Sequence, residues 1–264
     1  LSLSQAHESL APDEYKSFRE HYEIDIDDAE LGDIKVLINE MLSLLSFVNI
    51  YNDFYVGYKI QHISKEFDLL RFGSNYIVNV EIKNESTEEK IKNQLTRNKY
   101  YLHHINKVIH NYCFVATSKV LYQLNSSGDI ETVPLESLVQ LLTSQNLIKL
   151  ESPDVLFNPS DYLVSPFNST TKFLAGQYFL TGQQETIKNQ ITKNITSSSA
   201  SVISLTGAAG TGKALLTYDI VKSRMGAMKT VVVHCGQLND GHQRLINSGW
   251  HIVSIRDFRN YDLT

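Results

Sequence analysis

The chain reads as an α/β protein in two domains, a strand meander between helices followed by a shorter parallel α/β domain built around a glycine loop. Three observations carry that expectation. Runs rich in Tyr, Phe, Ile and Val at 54–60, 66–72 and 76–83 are separated by turn residues and flanked by helical apolar spacing. From 151 to 175 the periodicity fades, and Pro153, Pro159 and Pro166 stand among Asn, Ser, Thr and Asp, the composition of a connector. Beyond it an apolar segment, a loop holding Gly207, Gly210 and Gly212, and a helical segment follow in the order of a strand-loop-helix unit. With 264 residues and 42% apolar content, two cores of ordinary size are expected. The expected domains are 1–150 and 176–264, joined by a linker over 151–175.

Taken in order, Ile34, Leu37, Ile38, Met41, Leu44, Leu45 and Val48 line one side of a helix over 33–50, with Glu40 at the margin of the stripe. The three strands follow, with Gly73, Ser74 and Asn75 as a tight turn before the third. Ser86 and Glu89 have the spacing of a capping box, and Ile91, Leu95, Leu102, Ile105 and Ile109 give the next helix its apolar face. Residues 112–124 read as further strand, 126–129 as a turn and 135–147 as a closing helix. In the second domain the expected order is a helix over 183–196, a buried strand over 202–206, the loop, a helix over 213–225, and strands at 230–235 and 250–255.

The net charge of −5 excludes a globally basic coat for nucleic acid, but the charge is uneven. Residues 1–60 hold 4 Lys and Arg against 12 Asp and Glu, whereas 83–122 hold 7 against 3 and add His103, His104 and His110. The two cysteines, Cys113 and Cys235, lie in apolar segments without CxxC spacing and read as reduced core residues rather than disulfide or zinc ligands. No apolar run is long enough to span a bilayer and no start resembles a signal peptide, so the expected location is cytoplasmic, without a membrane partner.

Residues 205–213 read Leu-Thr-Gly-Ala-Ala-Gly-Thr-Gly-Lys. Gly207, Gly212 and Lys213 fit G-x-x-x-x-G-K, with Gly210 and Thr211 between them. Glycines let backbone N–H groups converge on phosphate oxygens, and the helix N-terminus and Lys213 add positive charge. Nucleotide, expected to be ATP, is the ligand this pattern suits. Ala214 follows where magnesium chemistry uses a Ser or Thr hydroxyl, and a methyl group supplies none. Here the chain resembles the superfamily 1 helicase-type ATPases, particularly their bacterial and Schlafen-like branch. Gln184, in Thr-Gly-Gln-Gln-Glu-Thr, matches that superfamily's adenine-reading Q motif. The resemblance covers 176–264 and implies the N-terminal part of a RecA-like domain. An hhhhDE strand, an arginine finger and a second lobe are not found, and Asp257 after Arg256 reads as structural or surface. ATPase or helicase activity is therefore not expected from these residues alone.

In the first domain Asp68 precedes the turn, and Glu81 and Lys83 share one face of the third strand, opposite Val78, Val80 and Ile82. Two carboxylates there suit a hard divalent cation, and the lysine a water or phosphate beside it. This arrangement resembles the PD-(D/E)xK nucleases of the RecB-like branch. Asp68, Glu81 and Lys83 match the catalytic set, Gln94 the following glutamine, Tyr101 its tyrosine and Glu40 a further metal-site acid, although Phe67 stands where the motif has Pro. The resemblance implies a mixed sheet flanked by helices, Mg²⁺ or Mn²⁺ held by Glu40, Asp68 and Glu81, and Gln94 and Arg97 at the scissile phosphate. Lys90, Lys92 and Lys99 extend the path of the nucleic-acid backbone. His62, His103 and His104 stay outside the metal site.

Together the resemblances imply a metal-dependent nuclease acting on DNA, less so RNA, coupled to a helicase-type ATPase in a longer protein of anti-phage defence or DNA repair. Remaining helicase domains or a partner protein are expected partners, and a homo-oligomer stays open. The alternative is a non-catalytic module that binds nucleic acid and senses nucleotide. A small P-loop kinase finds no lid or second acidic motif.

Overall fold

The structure, a computed structural model, describes residues 2–22, 24–44, 48–60, 65–197 and 202–260. The chain forms two compact units, Leu1–Pro159 and Ser160–Thr264. In the first, α1 (Ser2–Ser9) and α2 (Pro12–His21) precede α3 (Asp28–Leu44). The first turn of α3 is closed reciprocally: Glu30 N–H donates to Asp27 Oδ1 at 2.8 Å and Asp27 N–H to Glu30 Oε2 at 3.0 Å. The helix thus starts earlier than its apolar spacing suggests, and a 3₁₀ turn at Val48–Tyr51 stands at the end of the expected range. Ile34, Leu37 and Met41 are buried and Leu44 is exposed. Leu45 and His62 lie outside the described residues.

The sheet runs in the order β1 (Phe54–Ile60), β2 (Lys65–Phe72), β3 (Tyr76–Lys83), β4 (Val108–Val115), β5 (Val120–Leu124) and β6 (Ile130–Val133). All neighbours are antiparallel except β3 and β4, which run parallel from Tyr76↔Val108 to Lys83↔Val115. A parallel pair needs a crossover, and α4 (Glu88–His103) supplies it. Thr87, not Ser86, caps α4, accepting Lys90 N–H at 3.4 Å. The helix stops at His103, so Ile109 falls in β4. Two strands and a turn with Lys119 at φ +57° replace the single strand expected over 112–124, and β6 is an additional strand. Both departures have one cause: alternation marks a strand but not where the chain folds back to pair.

Alternation sorts the sheet's faces. Val78, Val80, Ile82, Tyr112, Phe114 and Leu121 pack against Leu31, Ile34, Leu37 and Met41 of α3 and Leu138, Val139 and Leu142 of α5 (Leu135–Ser144). On the other face Cys113 and Val115 meet Ile91 and Leu95 of α4. The stretch expected to be a linker carries structure of its own. A 3₁₀ turn at Pro153–Leu156 docks on the first unit, where Tyr58 Oη–H donates to Asp154 Oδ1 at 2.6 Å and Phe157 stacks on Phe67 with centroids 6.1 Å apart.

The second unit opens within α6 (Pro159–Tyr162) and contains α7 (Thr170–Leu174), α8 (Gly182–Ser197), α9 (Lys213–Arg224), β7 (Val232–His234), α10 (Asp240–Asn247) and β8 (Ile252–Ser254). β7 and β8 pair in parallel across α10, as the sequence suggests. Phe173, Tyr218, Leu245, Trp250 and Ile252 form its main core. The strand expected over 202–206 is not formed: those residues have irregular backbone, no ladder partner among the described residues, and Val202 and Ile203 are exposed. Among the described residues no helix is long and apolar enough to cross a membrane.

Leu95 is wholly buried between α4 and the sheet. Leu95→Ala should destabilise the first unit by about 2–5 kcal/mol, through lost transfer energy and the cavity left behind, read from the midpoint of its urea unfolding.

Candidate functional sites

The β2–β3 register, which runs from Leu69↔Val80 to Phe72↔Ile77, brings Asp68 to the level of Glu81. Beyond that ladder the Ile82 N–H is taken by Asp68 Oδ2 at 2.7 Å, so this carboxylate substitutes for a strand partner. Asp68 Oδ2 also accepts from Lys83 Nζ at 3.4 Å. The three residues singled out by the D…ExK pattern therefore meet at one end of the β2–β3 pair.

Glu81 is only 1% exposed. Oε1 accepts from Asn98 Nδ2 at 2.8 Å and Lys65 Nζ at 3.5 Å; Oε2 accepts from Gln94 Nε2 at 2.8 Å and lies 3.8 Å from Lys83 Nζ. Gln94 and Asn98 are one turn apart on α4 and reach the same carboxylate, the geometry an i, i+4 pair provides. Burial pushes the Glu81 carboxyl above its ordinary range, against the pull of Lys65 and Lys83. Burial likewise pulls the Lys65 ammonium below its usual value, although Glu81 and Asp68 oppose it. For Lys83 burial also acts downward, but Asp68 and Glu81 outweigh it and the net shift is upward.

Asp68 and Glu81 come from neighbouring strands, and Asp68 Oδ1 has no hydrogen bond among the described residues. Oxygen donors of this kind fit a hard divalent cation. Glu40 is not brought to them: its carboxylate pairs with Lys119 at 2.7 Å. The α3 acid near the end of β3 is instead Asp33, which accepts from Asn84 Nδ2 at 2.8 Å. Among the described residues no three or more His, Cys, Asp and Glu side chains form a group able to hold a metal. Tyr101 is buried on α4, and desolvation pushes its hydroxyl up to about 12. Lys90 and Lys99 are exposed on α4, while Lys92 pairs with Asp129 at 2.7 Å. Lys65 and Asn98 were not singled out by the sequence. Asn98 had a signal in its spacing from Gln94; Lys65 had none.

In the second unit Gly210 (φ +81°) and Gly212 (φ +77°) take the left-handed backbone that the loop needs. Lys213 opens α9 and turns back over the loop, donating to the carbonyls of Gly207 at 2.7 Å and Ala208 at 2.6 Å. Thr211 Oγ1–H donates to Ala208 O at 2.9 Å. Gln184 is tied to the same loop: Oε1 accepts Thr181 N–H at 3.0 Å and Nε2 donates to Thr211 O at 3.1 Å. A Cβ at Gly212 would stand 2.4 Å from Gln184 Nε2 and displace the end of that side chain, while the φ of +77° is what favours glycine at this position. The amide expected to read adenine here braces the loop to the start of α8. Ala214 is exposed in the first turn of α9, and Asp257 accepts from Ser254 Oγ at 2.6 Å within a local turn.

Comparison of the chain with protein-family models, curated proteins and solved structures returns no match. The fold is a six-stranded mixed sheet flanked by helices, joined in sequence to a smaller α/β unit.

Cys113 is buried beside Glu81, and desolvation, with Glu81 adding to it, raises its thiol to about 12; Cys235 is exposed, contrary to its expected place in a core. A thiol reagent at pH 8 should therefore modify one cysteine rapidly in the folded protein and both in denaturant, with mass mapping placing the first label on Cys235.

Proposed function

We propose that the first unit is a metal-dependent nuclease of PD-(D/E)xK type acting on DNA, and that the second is the nucleotide-binding front of a helicase-type ATPase. The observation that carries the nuclease reading is the meeting of Asp68, Glu81 and Lys83 at one strand end beneath Gln94 of α4. Asp68 and Glu81 would hold Mg²⁺ or Mn²⁺; when bound, such an ion polarises a phosphoryl oxygen and lowers the pKa of a water. Lys83, with its side chain 39% exposed, keeps a positive charge at the open side of the pair, where a phosphate oxygen would arrive. Gln94 holds Glu81 Oε2 and aligns that carboxylate. The exposed Lys90 and Lys99 offer charges to the nucleic-acid backbone, a salt-sensitive contribution.

For the second unit, the support is a loop whose glycines and lysine suit phosphate. An entering phosphate would replace the two carbonyls now held by Lys213. Ala214 gives no hydroxyl to magnesium, so this unit is read as binding nucleotide without hydrolysing it. In a longer protein the pairing suits defence against phage or DNA repair. One observation favours the non-catalytic alternative, in which the first unit only binds nucleic acid: both Glu81 oxygens are already engaged by donors.

Purified protein should degrade linear DNA with Mn²⁺, and Asp68→Asn should lower the rate by about 100-fold or more while leaving circular dichroism unchanged. Lys213→Ala should weaken binding of a fluorescent ATP analogue about tenfold without changing that rate. DNA binding with no Mn²⁺-dependent cleavage by the parent protein would select the non-catalytic reading.

A further inference from the structure

Lys65 stands apart from the residues that the nuclease reading uses. Its side chain is 6% exposed, while that of Lys83 is 39% exposed. Its ammonium lies 4.4 Å from the centre of the Phe67 ring and donates to the Glu66 carbonyl and to Glu81 Oε1, the latter at 3.5 Å. A lysine this deep is retained only with partners, because an unpaired buried ammonium is strongly disfavoured. Its reach to Glu81 comes from the start of β2, independently of Lys83 at the end of β3.

The charges at this spot balance without any ion. Counted with all four groups ionised, the two carboxylates of Asp68 and Glu81 offset the two ammoniums of Lys65 and Lys83. A divalent cation added to the two carboxylates leaves an excess of two positive charges in a poorly solvated place, where like charges repel strongly. Of the two ammoniums, Lys83 has solvent to turn into, whereas Lys65 is walled in by Phe67 and its own strand. Repulsion therefore falls chiefly on Lys65.

We propose that Lys65 is a built-in counter-cation for Glu81. It holds the carboxylate in place when no metal is bound, and it sets the concentration of divalent cation at which the site fills. The inference rests on the reading of Asp68 and Glu81 as a cation site. Lys65 is here a positioning residue, touching neither nucleic acid nor the reacting atoms. Two consequences follow: the protein folds around this site in the absence of metal, and its affinity for metal is held below what its two carboxylates would otherwise give.

The test is Mn²⁺ affinity by calorimetry and thermal midpoint in EDTA and in Mn²⁺, on the parent protein and on Lys65→Met, Lys65→Gln, Lys65→Arg and Asp68→Asn. Methionine keeps the length and apolar stem of the side chain and removes the charge. Lys65→Met should melt lower than the parent in EDTA, bind Mn²⁺ at least tenfold more tightly, and gain more in midpoint from Mn²⁺ than the parent does. Lys65→Arg, which keeps the charge, should bind Mn²⁺ like the parent. If Lys65→Met does not fold, Lys65→Gln carries the same comparison. Parent binding that is lost in Asp68→Asn but no tighter in the neutral Lys65 variants, with equal midpoint losses in EDTA and Mn²⁺, overturns the role of Lys65 and leaves the cation site standing. No Mn²⁺ binding by any variant, or binding indifferent to Asp68→Asn, overturns the cation site and the inference with it.

Discussion

A carboxylate with 1% of its surface exposed must be surrounded by donors or it will not stay where it is, and the first unit is arranged around that requirement at Glu81. Its partners come from three elements: Lys65 from β2, Lys83 from its own strand, and Gln94 with Asn98 from α4. Each partner needs the others' framework. α4 lies over this face because β3 and β4 are parallel and need a crossover; the β2–β3 hairpin brings Asp68 and Lys65 alongside. Removing one donor would leave a buried charge short of a partner, which costs more than the bond itself contributes.

The same requirement ties the proposed cation site to the stability of the first unit. A fully paired carboxylate is a sound structural element and a poor open ligand site. Asp68 and Lys83, at the accessible margin, have the freedom that Glu81 lacks. On the proposed reading, a cation enters by rearranging these donors rather than by filling an empty cradle.

The second unit solves a different problem. Its loop is mostly exposed, its glycines allow backbone conformations closed to other residues, and Lys213 and Gln184 tie it down through backbone carbonyls. Few apolar contacts reach the loop, although Leu205 just before it packs near Leu180, Leu216 and Ile220. The segment over 202–206 shows what a ladder partner decides: its apolar residues alone do not make a strand, and among the described residues no neighbouring backbone pairs with it.

Short-range patterns were legible in the amino acids. The two-residue period of a strand put Glu81 and Lys83 on one face, the turn at Gly73 to Asn75 joined β2 to β3, and the glycine loop with Lys213 was plain from spacing. Glu40 stands beside an apolar stripe and is a metal-site acid only by the nuclease resemblance; the stripe fixes which side of α3 is buried, not which acid lies near β3, and the structure puts Asp33 there and pairs Glu40 with Lys119. Gln184 was legible as a polar residue before the loop, but whether its amide faces a base or the loop depends on how α8 and α9 pack. Lys65 was invisible because a lysine carries no signal of burial in sequence; only the fold decides that Phe67, Glu66 and Glu81 surround it. The sequence by itself determined periodicities, turns and the residue types able to do chemistry, since these rest on local backbone geometry. The tertiary structure alone decided which charges are withdrawn from water and which partners they must share, since desolvation is a property of the surroundings and not of the residue.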